Sequence, residues 1–293
     1  MPSSPVLILN PTAGSHRKNR KLQRIIHQLR AAYPNLNIVS TRKMDDGKKL
    51  AQDAVQNGCS LIICAGGDGT INEVINGLAG TNTSLAILPT GTGNALAREI
   101  GLPMDALKAG SLVSTLKPTS LPLGQVNGRY FALLAGVGFD SFIIQQIWPR
   151  LKRRFGIVAY LVAGFLSLFK YPYPTIRFKI QDRVVTGTCG FIFKAQCPIG
   201  PFVLAPQARL QESWLDLYIF KRRGPVAYLR YILAVLLRQQ SKLSDVEYQK
   251  VKEVVVSSDN TVRLHTDGEL IEQAGSYHIK IASKQFNLLI PSG

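Results

Sequence analysis

The sequence predicts a two-part chain: an α/β domain on a parallel sheet, followed by a mostly antiparallel β-sandwich domain. Three observations carry this reading. Short apolar runs alternate with amphipathic helical stretches as far as residue 116, the order that gives a parallel sheet flanked by helices. Three of the apolar runs end in polar, glycine-bearing loops. Beyond the proline-bearing stretch 118–122 the pattern changes to many short β-like runs, as in a sandwich or open barrel.

Taken in order, Val6-Leu7-Ile8-Leu9 is a buried-strand run leading into Asn10-Pro11-Thr12-Ala13-Gly14 and a basic helix over 18–32, with Leu22, Ile25, Ile26 and Leu29 on one face. A strand over 37–41 and a helix over 46–57, carrying Leu50, Ala54 and Val55, come next. Leu61-Ile62-Ile63-Cys64-Ala65 has the continuous apolar character of a strand covered on both faces. It feeds Gly66-Gly67-Asp68-Gly69-Thr70 and then a helix bearing Ile71, Val74, Ile75 and Leu78. The unit repeats with Leu85-Ala86-Ile87-Leu88, the loop Pro89-Thr90-Gly91-Thr92-Gly93-Asn94, and a helix from Ala95 through Arg98. A helix over 105–116 closes the first part. In the second part, β-like runs fall at 124–126, 130–136, 175–181, 183–193, 215–220, 251–257, 261–265 and 277–281, with helical segments near 140–170 and 225–240 and a last apolar run at 286–290.

A strand that feeds a glycine turn opening a helix suits a phosphate group. Glycine lets the backbone approach the ligand, and the helix N-terminus offers unpaired N–H groups and a positive dipole end. The same pentapeptide also fits an ordinary tight turn. In a parallel sheet such loops lie at the carboxyl ends of strands, where ligands bind. None of the three loops follows the G-x-x-x-x-G-K-[ST] or G-x-G-x-x-G patterns. Asp68 repels a phosphate directly, so it points to a bound magnesium ion or to a donor hydroxyl.

Composition narrows the partners. Lys and Arg number 35 against 18 Asp and Glu, a net +17, which favours a polyanionic partner: a nucleotide, an anionic membrane or a nucleic acid. Nucleic acid is set aside, because zinc-finger spacing, RRM or KH signatures and an aromatic-basic platform are all lacking. Cys59, Cys64, Cys189 and Cys197 form no C-x-x-C pair and read as core hydrophobes of a reducing compartment. The opening Met1-Pro2-Ser3-Ser4-Pro5 lacks a charged n-region, so a cytoplasmic location is expected. Residues 155–169 are uncharged, follow Arg150, Lys152, Arg153 and Arg154, and have Trp148, Tyr160, Tyr171 and Tyr173 near their boundary. They fall short of the ~20 residues a membrane span needs. A helix packed on the sheet and an interfacial helix that meets anionic headgroups both fit. A basic helix around 229–238 has similar character.

The three loops, with Asn72, Glu73, Arg98 and Asp267-Gly268-Glu269, resemble the signatures of the diacylglycerol kinase catalytic-domain superfamily, in order and over nearly the whole chain. That superfamily includes sphingosine and ceramide kinases and the bacterial soluble lipid kinases; NAD kinases share the Gly-Gly-Asp-Gly element. The resemblance implies a nucleotide-binding α/β domain over 1–121, to which a tail at about 284–293 returns, and a β-rich lipid-substrate domain over 122–283. It places Asn10, Pro11, Gly14, Thr41, Gly66, Gly67, Asp68, Gly69, Thr70, Glu73, Thr92, Gly93 and Asn94 in the nucleotide site. ATP and Mg2+ are the implied cofactors, with Asp68 in the magnesium–phosphate region. The turn at 267–269 is by itself a hairpin signal. In the family it faces the nucleotide and supplies the base, a role assigned first to Glu269, with Asp267 orienting it or sharing the role. His265 reads as a strand residue.

One departure stands out. Many bacterial relatives carry an Asp-Gly pair ahead of a Leu-Asp strand, where the aspartate and nearby carbonyls hold a structural magnesium ion. Here Glu212 and Ser213 precede Trp214-Leu215-Asp216: Glu212 stands where the aspartate is expected and, as a competent oxygen ligand, is with Asp68 a candidate metal residue, although its longer stem moves the carboxylate and magnesium demands near-octahedral geometry. The expectation is an ATP-dependent lipid kinase, acting on a hydroxyl of a lipid such as diacylglycerol, peripherally attached to an anionic membrane surface. An NAD kinase-like activity and a noncatalytic lipid- or nucleotide-binding module are the alternatives. A homodimer is an assembly the sequence leaves open.

Overall fold

A computed structural model describes residues 4–13, 19–146, 157–199, 202–259 and 262–291. Gly14, Trp148 and the basic cluster Arg150, Lys152, Arg153 and Arg154 lie outside them. The chain divides into two compact units, residues 1–123 with 283–293, and residues 124–282.

The first unit follows the alternation in the sequence: β1 (Val6–Leu9), α1 (Asn19–Ala32), β2 (Asn37–Ser40), α2 (Asp46–Gln56), β3 (Leu61–Gly66), α3 (Asp68–Leu78), β4 (Ser84–Pro89), α4 (Ala95–Glu99) and α5 (Ala106–Leu112). The strands pair in parallel in the order β2-β1-β3-β4. Asn287 and Leu288 add a further parallel strand beside Ser84 and Leu85 of β4. Successive strand residues point to opposite faces, yet Ile62, Ile63, Cys64 and Ala65 are all fully buried. The sheet is therefore covered on both sides, which is why its strands read as continuous apolar runs. Helix α5 is shorter than its apolar pattern suggests. Asp105 caps it by accepting from the N–H groups of Leu107 and Lys108 at 2.8 and 3.1 Å.

In the second unit the chain forms β5 (Lys117–Val126, entering from the first unit), β6 (Arg129–Phe131), β7 (Leu134–Val137), α6 (Phe139–Gln146), α7 (Ile157–Lys170), β8 (Ile176–Ile180), β9 (Arg183–Gly187), β10 (Cys189–Phe193), β11 (Pro198–Ile199), β12 (Phe202–Val203), β13 (Leu215–Phe220), α8 (Pro225–Leu236), β14 (Val246–Val251), β15 (Glu253–Ser258), β16 (Leu264–Thr266), β17 (Glu269–Leu270) and β18 (Ser276–Ile290). One antiparallel sheet runs β14-β13-β10-β7-β16-β17, and a second run joins β18, β15, β8 and β9. Ala135, Val137, Ile192, Leu217 and Ile219 from the first meet Phe178, Val254, Val256, Tyr277 and Ile279 from the second in one buried core. On β13, Leu215, Leu217 and Ile219 face this core. Phe220, on the opposite face, packs edge-on against Tyr231 of α8. Leu215 to Phe220 is thus buried throughout.

Some strand limits differ from the sequence reading, each for a local reason. The run at 130–136 is two strands, because the N–H groups of Ala132, Leu133 and Leu134 turn away from the ladder to a carboxylate. The residues at 118–122 belong to β5; its ladder with β6 uses only Gly124 to Val126, so neither Pro118 nor Pro122 has to donate an N–H there. The apolar runs at 277–281 and 286–290 are one continuous strand.

Candidate active site

The first unit brings two glycine loops together. Gly67 precedes α3 with extended backbone (φ −92°, ψ −177°), and the first hydrogen bond of the helix runs from Ile71 N–H to the Gly67 carbonyl. The N–H groups of Asp68, Gly69 and Thr70 thus have no acceptor within α3, as at any helix start. A Cβ on Gly91 would lie 2.5 Å from Gly67 Cα and 2.8 Å from Asn94 Oδ1. A Cβ on Gly93 would lie 2.6 Å from Asp68 Oδ2, and one on Gly66 2.7 Å from Thr70 Cβ. The loops are in backbone contact, so glycine is required there by space.

Polar side chains lock this junction. Asp68 Oδ2 accepts from Asn94 N–H at 2.8 Å and Oδ1 from Ala95 N–H at 2.6 Å, so the carboxylate that opens α3 also caps α4. Asn94 adopts a left-handed backbone (φ 51°). Its amide closes on the Gly91 residue, accepting from Gly91 N–H at 2.9 Å and donating to its carbonyl at 3.0 Å. Asn10, at the end of β1, donates from Nδ2 to Thr70 Oγ1 at 2.8 Å and accepts from both the N–H and hydroxyl of Thr12 at 2.9 Å. Arg98 donates from Nε to the Gly93 carbonyl. Pro11 and Thr92 are exposed, and Thr41 is buried at the end of β2 with its N–H on the Leu9 carbonyl.

Glu73 serves a neighbouring helix. Its Oε1 accepts from Asp45 N–H at 3.0 Å and its Oε2 from Gly47 N–H at 2.9 Å, capping α2 from outside. A Cβ on Gly47 would meet Oε2 at 2.7 Å. Asp46 in turn accepts from the N–H groups of Arg42 and Lys43, which hold its carboxyl below the usual carboxylate range. Glu73→Ala is expected to destabilise the fold by roughly 2–4 kcal/mol, because two N–H groups lose their acceptor in a buried corner. Glu73→Gln, which keeps one acceptor oxygen, should lose about half of that; urea unfolding measures both. The thiols nearby are inert: burial first, and Glu73 second, push Cys64 up to about 12.

In the second unit, the acidic turn joins β16 to β17 with Thr266 opposite Glu269. Asp267 (φ 50°) and Gly268 (φ 86°) take the left-handed conformations of the tight hairpin turn that Asp-Gly favours. The Asp267 carboxylate accepts three backbone bonds, from Ala132 N–H at 2.9 Å to Oδ2 and from Leu133 and Leu134 N–H at 3.0 and 2.9 Å to Oδ1. It is a fixed hub that fastens the turn to the segment between β6 and β7. Glu269 Oε2 pairs with Arg129 Nη2 at 2.5 Å, both groups partly exposed. His265 is buried. Its Nδ1 accepts from Gly268 N–H at 3.2 Å, which leaves Nε2–H to donate to Asp140 Oδ2 at 2.6 Å. His265, weighed as a strand residue in the sequence, is therefore also the buttress of the turn. A Cβ on Gly136 would collide with its Nε2 at 2.3 Å. Arg129 and Asp140 have no motif of their own, although Asn127-Gly128 ahead of Arg129 is itself a hairpin signal, realised with φ of 45° and 94°.

The first unit thus carries two glycine loops locked at a helix start with one buttressed carboxylate, and the second unit a rigid acidic turn. Backbone donors at a helix start and fixed carboxylates are groups that phosphoryl transfer to an alcohol calls for. The comparisons with known proteins agree. Residues 4–126 match the family model of the diacylglycerol kinase catalytic domain. The chain is 32% identical to the diacylglycerol kinase of Staphylococcus saprophyticus, over 90% of this chain and 88% of that one. It is 30% identical to that of Bacillus subtilis, with the same coverage of each. A solved structure of a diacylglycerol kinase from Bacillus anthracis str. Sterne superposes with a TM-score of 0.76 at 22% identity, over 98% of this chain and 97% of that one. Another structure from the same organism reaches 0.82 at 24%, with the same coverage. At such identities the structural likeness speaks for the fold. The chain belongs to the diacylglycerol kinase family.

Proposed function

We propose that this protein transfers the γ-phosphoryl group of ATP to the hydroxyl of a membrane lipid, with diacylglycerol as the first acceptor to test. The observation that carries this reading is the junction of the two glycine loops. The half-buried start of α3 meets the exposed backbone of Thr92 and Gly93 there, and Asp68 and Asn94 hold both loops at a fixed spacing. The phosphates bind along Gly66 to Thr70, where the N–H groups of Asp68, Gly69 and Thr70 have no acceptor within α3 and are preorganised where negative charge develops, and against Thr92 and Gly93 of the second loop, whose Gly91 and Asn94 N–H groups are spent on holding the junction. Asp68 is the carboxylate that would hold a magnesium ion. Each of its oxygens accepts one N–H bond from the second loop and a carboxylate oxygen has capacity for a second partner, which fits an ion that binds through one or two carboxylates and substrate phosphates. Bound there, the ion would neutralise phosphate charge.

Glu269 takes the proton of the acceptor hydroxyl, and Asp267 positions it through the three bonds that fix the turn. Arg129 holds the Glu269 carboxylate in place between turnovers. A panel of diacylglycerol, phosphatidylglycerol, a sphingoid base and a polyprenol, incubated with ATP and magnesium, should give a phosphorylated lipid by mass spectrometry. NADP formed from NAD in a parallel reaction, with no lipid product, would favour the NAD kinase-like reading. ATP binding without transfer to any acceptor would favour a noncatalytic module.

The lipid must be reached in its bilayer. No helix among the described residues is long and apolar enough to cross a membrane. Helices α7 and α8 pack together and carry Phe165, Leu166, Phe169, Val226, Leu229 and Leu233, each more than half exposed. Arg222, Arg223, Arg238 and Lys170 flank them. We assign this face to peripheral attachment at an anionic cytoplasmic surface, with apolar insertion and headgroup contacts together. Sedimentation with anionic but not neutral vesicles is expected. Reversing Arg150, Lys152, Arg153 and Arg154 should weaken it, since each held cation contributes about 1 kcal/mol. Phe165→Ser with Phe169→Ser should weaken it further, even at low salt. Vesicle binding untouched by both sets of changes would contradict this assignment.

A further inference from the structure

The segment ahead of β13, where the family resemblance points to a structural magnesium ion, is already furnished with cations. Lys250 Nζ lies 2.5 Å from Glu212 Oε2. Lys194, just after β10, is fully buried, and its Nζ donates to the carbonyls of Leu210 at 2.6 Å and Arg209 at 3.4 Å. In the sheet, Asp216 of β13 sits opposite Lys250 of β14 on one side and Phe193, next to Lys194, on the other. Asp216 is buried and accepts from Tyr248 hydroxyl at 2.6 Å. The oxygens a magnesium ion would need here are the carboxylate of residue 212 and nearby carbonyls. Both kinds are engaged by ammonium groups.

Charge points the same way. Lys194, Lys250 and Arg209 set three cations against the two carboxylates of Glu212 and Asp216, so a divalent ion would enter a site that is already net positive. A buried ammonium persists only when its donors are satisfied, and Lys194 satisfies donors with carbonyls of the residues just ahead of Glu212, the kind of oxygen a metal here would need. Among the described residues, no group of three or more His, Cys, Asp or Glu is placed to hold a metal ion.

We propose that Lys194 and Lys250 do the work of a structural magnesium ion in this chain, tying the 209–216 segment to β10 and β14 through ammonium groups. The proposal stands independently of the lipid kinase reading, and its test needs no substrate. Trp214 lies two residues from Glu212, with Lys252 Nζ 5.1 Å from its ring centre. The chain has two tryptophans, so Trp148→Phe makes Trp214 the sole reporter. Without nucleotide, Mn2+ should give no saturable quenching of Trp214, and Tm should be the same in EDTA and in millimolar Mg2+. Saturable quenching that Glu212→Gln removes would overturn the proposal. Lys194→Met should lower Tm by several degrees, with no recovery on adding Mg2+; an unchanged Tm would equally overturn it. Failure of that variant to fold agrees with the proposal, and the wild-type metal titration remains decisive.

Discussion

Glu269→Gln is expected to lower kcat by about 10²–10⁴, the range a positioned proton acceptor contributes, while ATP binding and the fold survive. Glutamine keeps the size of the side chain and an oxygen for Arg129, so only the capacity to take a proton is lost. The ion pair itself is partly exposed and is worth about 0–1 kcal/mol, so Tm should move little. Arg129→Met separates the two roles: it breaks the pair, leaves the base, and should lower kcat far less than Glu269→Gln. Asp267→Ala should behave differently from both. Three N–H groups lose their acceptor, at roughly 1–3 kcal/mol for each group left buried and unmade, so stability and activity fall together. A Glu269→Gln enzyme that keeps more than a tenth of wild-type kcat would remove Glu269 from the role of base.

The second large effect lies at the loop junction. Gly91→Ala forces a Cβ to 2.5 Å from Gly67 Cα, and because the obstacle is backbone, the loops must part. An overpacked contact of this kind costs roughly 1–3 kcal/mol, which corresponds to about 5–150-fold in ATP affinity if the bound state bears it. Asp68→Ala should do more. It strips two charge-assisted bonds from Asn94 and Ala95, each worth about 1.5–3 kcal/mol, and it removes the proposed metal carboxylate. We expect kcat/KM for ATP to fall at least 10²-fold by these magnitudes, against a smaller loss for Gly91→Ala. Calorimetric ATP titration with steady-state kinetics measures both, and full affinity in Gly91→Ala would contradict the cradle.

The fold was legible where burial is two-sided or strictly periodic. Continuous runs such as Leu61 to Ala65 announce a covered parallel strand, and Asp267-Gly268 announces its hairpin. What escaped the sequence are features set by partners far along the chain. The break between β6 and β7 depends on a carboxylate some 130 residues later, and no local pattern encodes it. Strand β14, Val246-Glu247-Tyr248-Gln249-Lys250-Val251, is an edge strand whose polar middle hides its pairing. At the site, the glycines, Asp68 and Asn94 were visible as a motif. The direction in which each carboxylate works was not. Glu73, which reads as a residue of its own helix start, caps a different helix. Asp68, which reads as a metal ligand, is first of all the latch between two loops. His265 and Asp140 meet only through the fold.

The central claim is transfer from the γ position of ATP to a lipid hydroxyl, and one labelling experiment tests it most directly. With magnesium and diacylglycerol in anionic vesicles, γ-labelled ATP should give labelled lipid in one-to-one proportion to ADP, and α-labelled ATP should give none. The label should disappear from the lipid when Glu269→Gln replaces the wild type. ADP released at the same rate with and without lipid, and no label in any lipid fraction, would contradict the account.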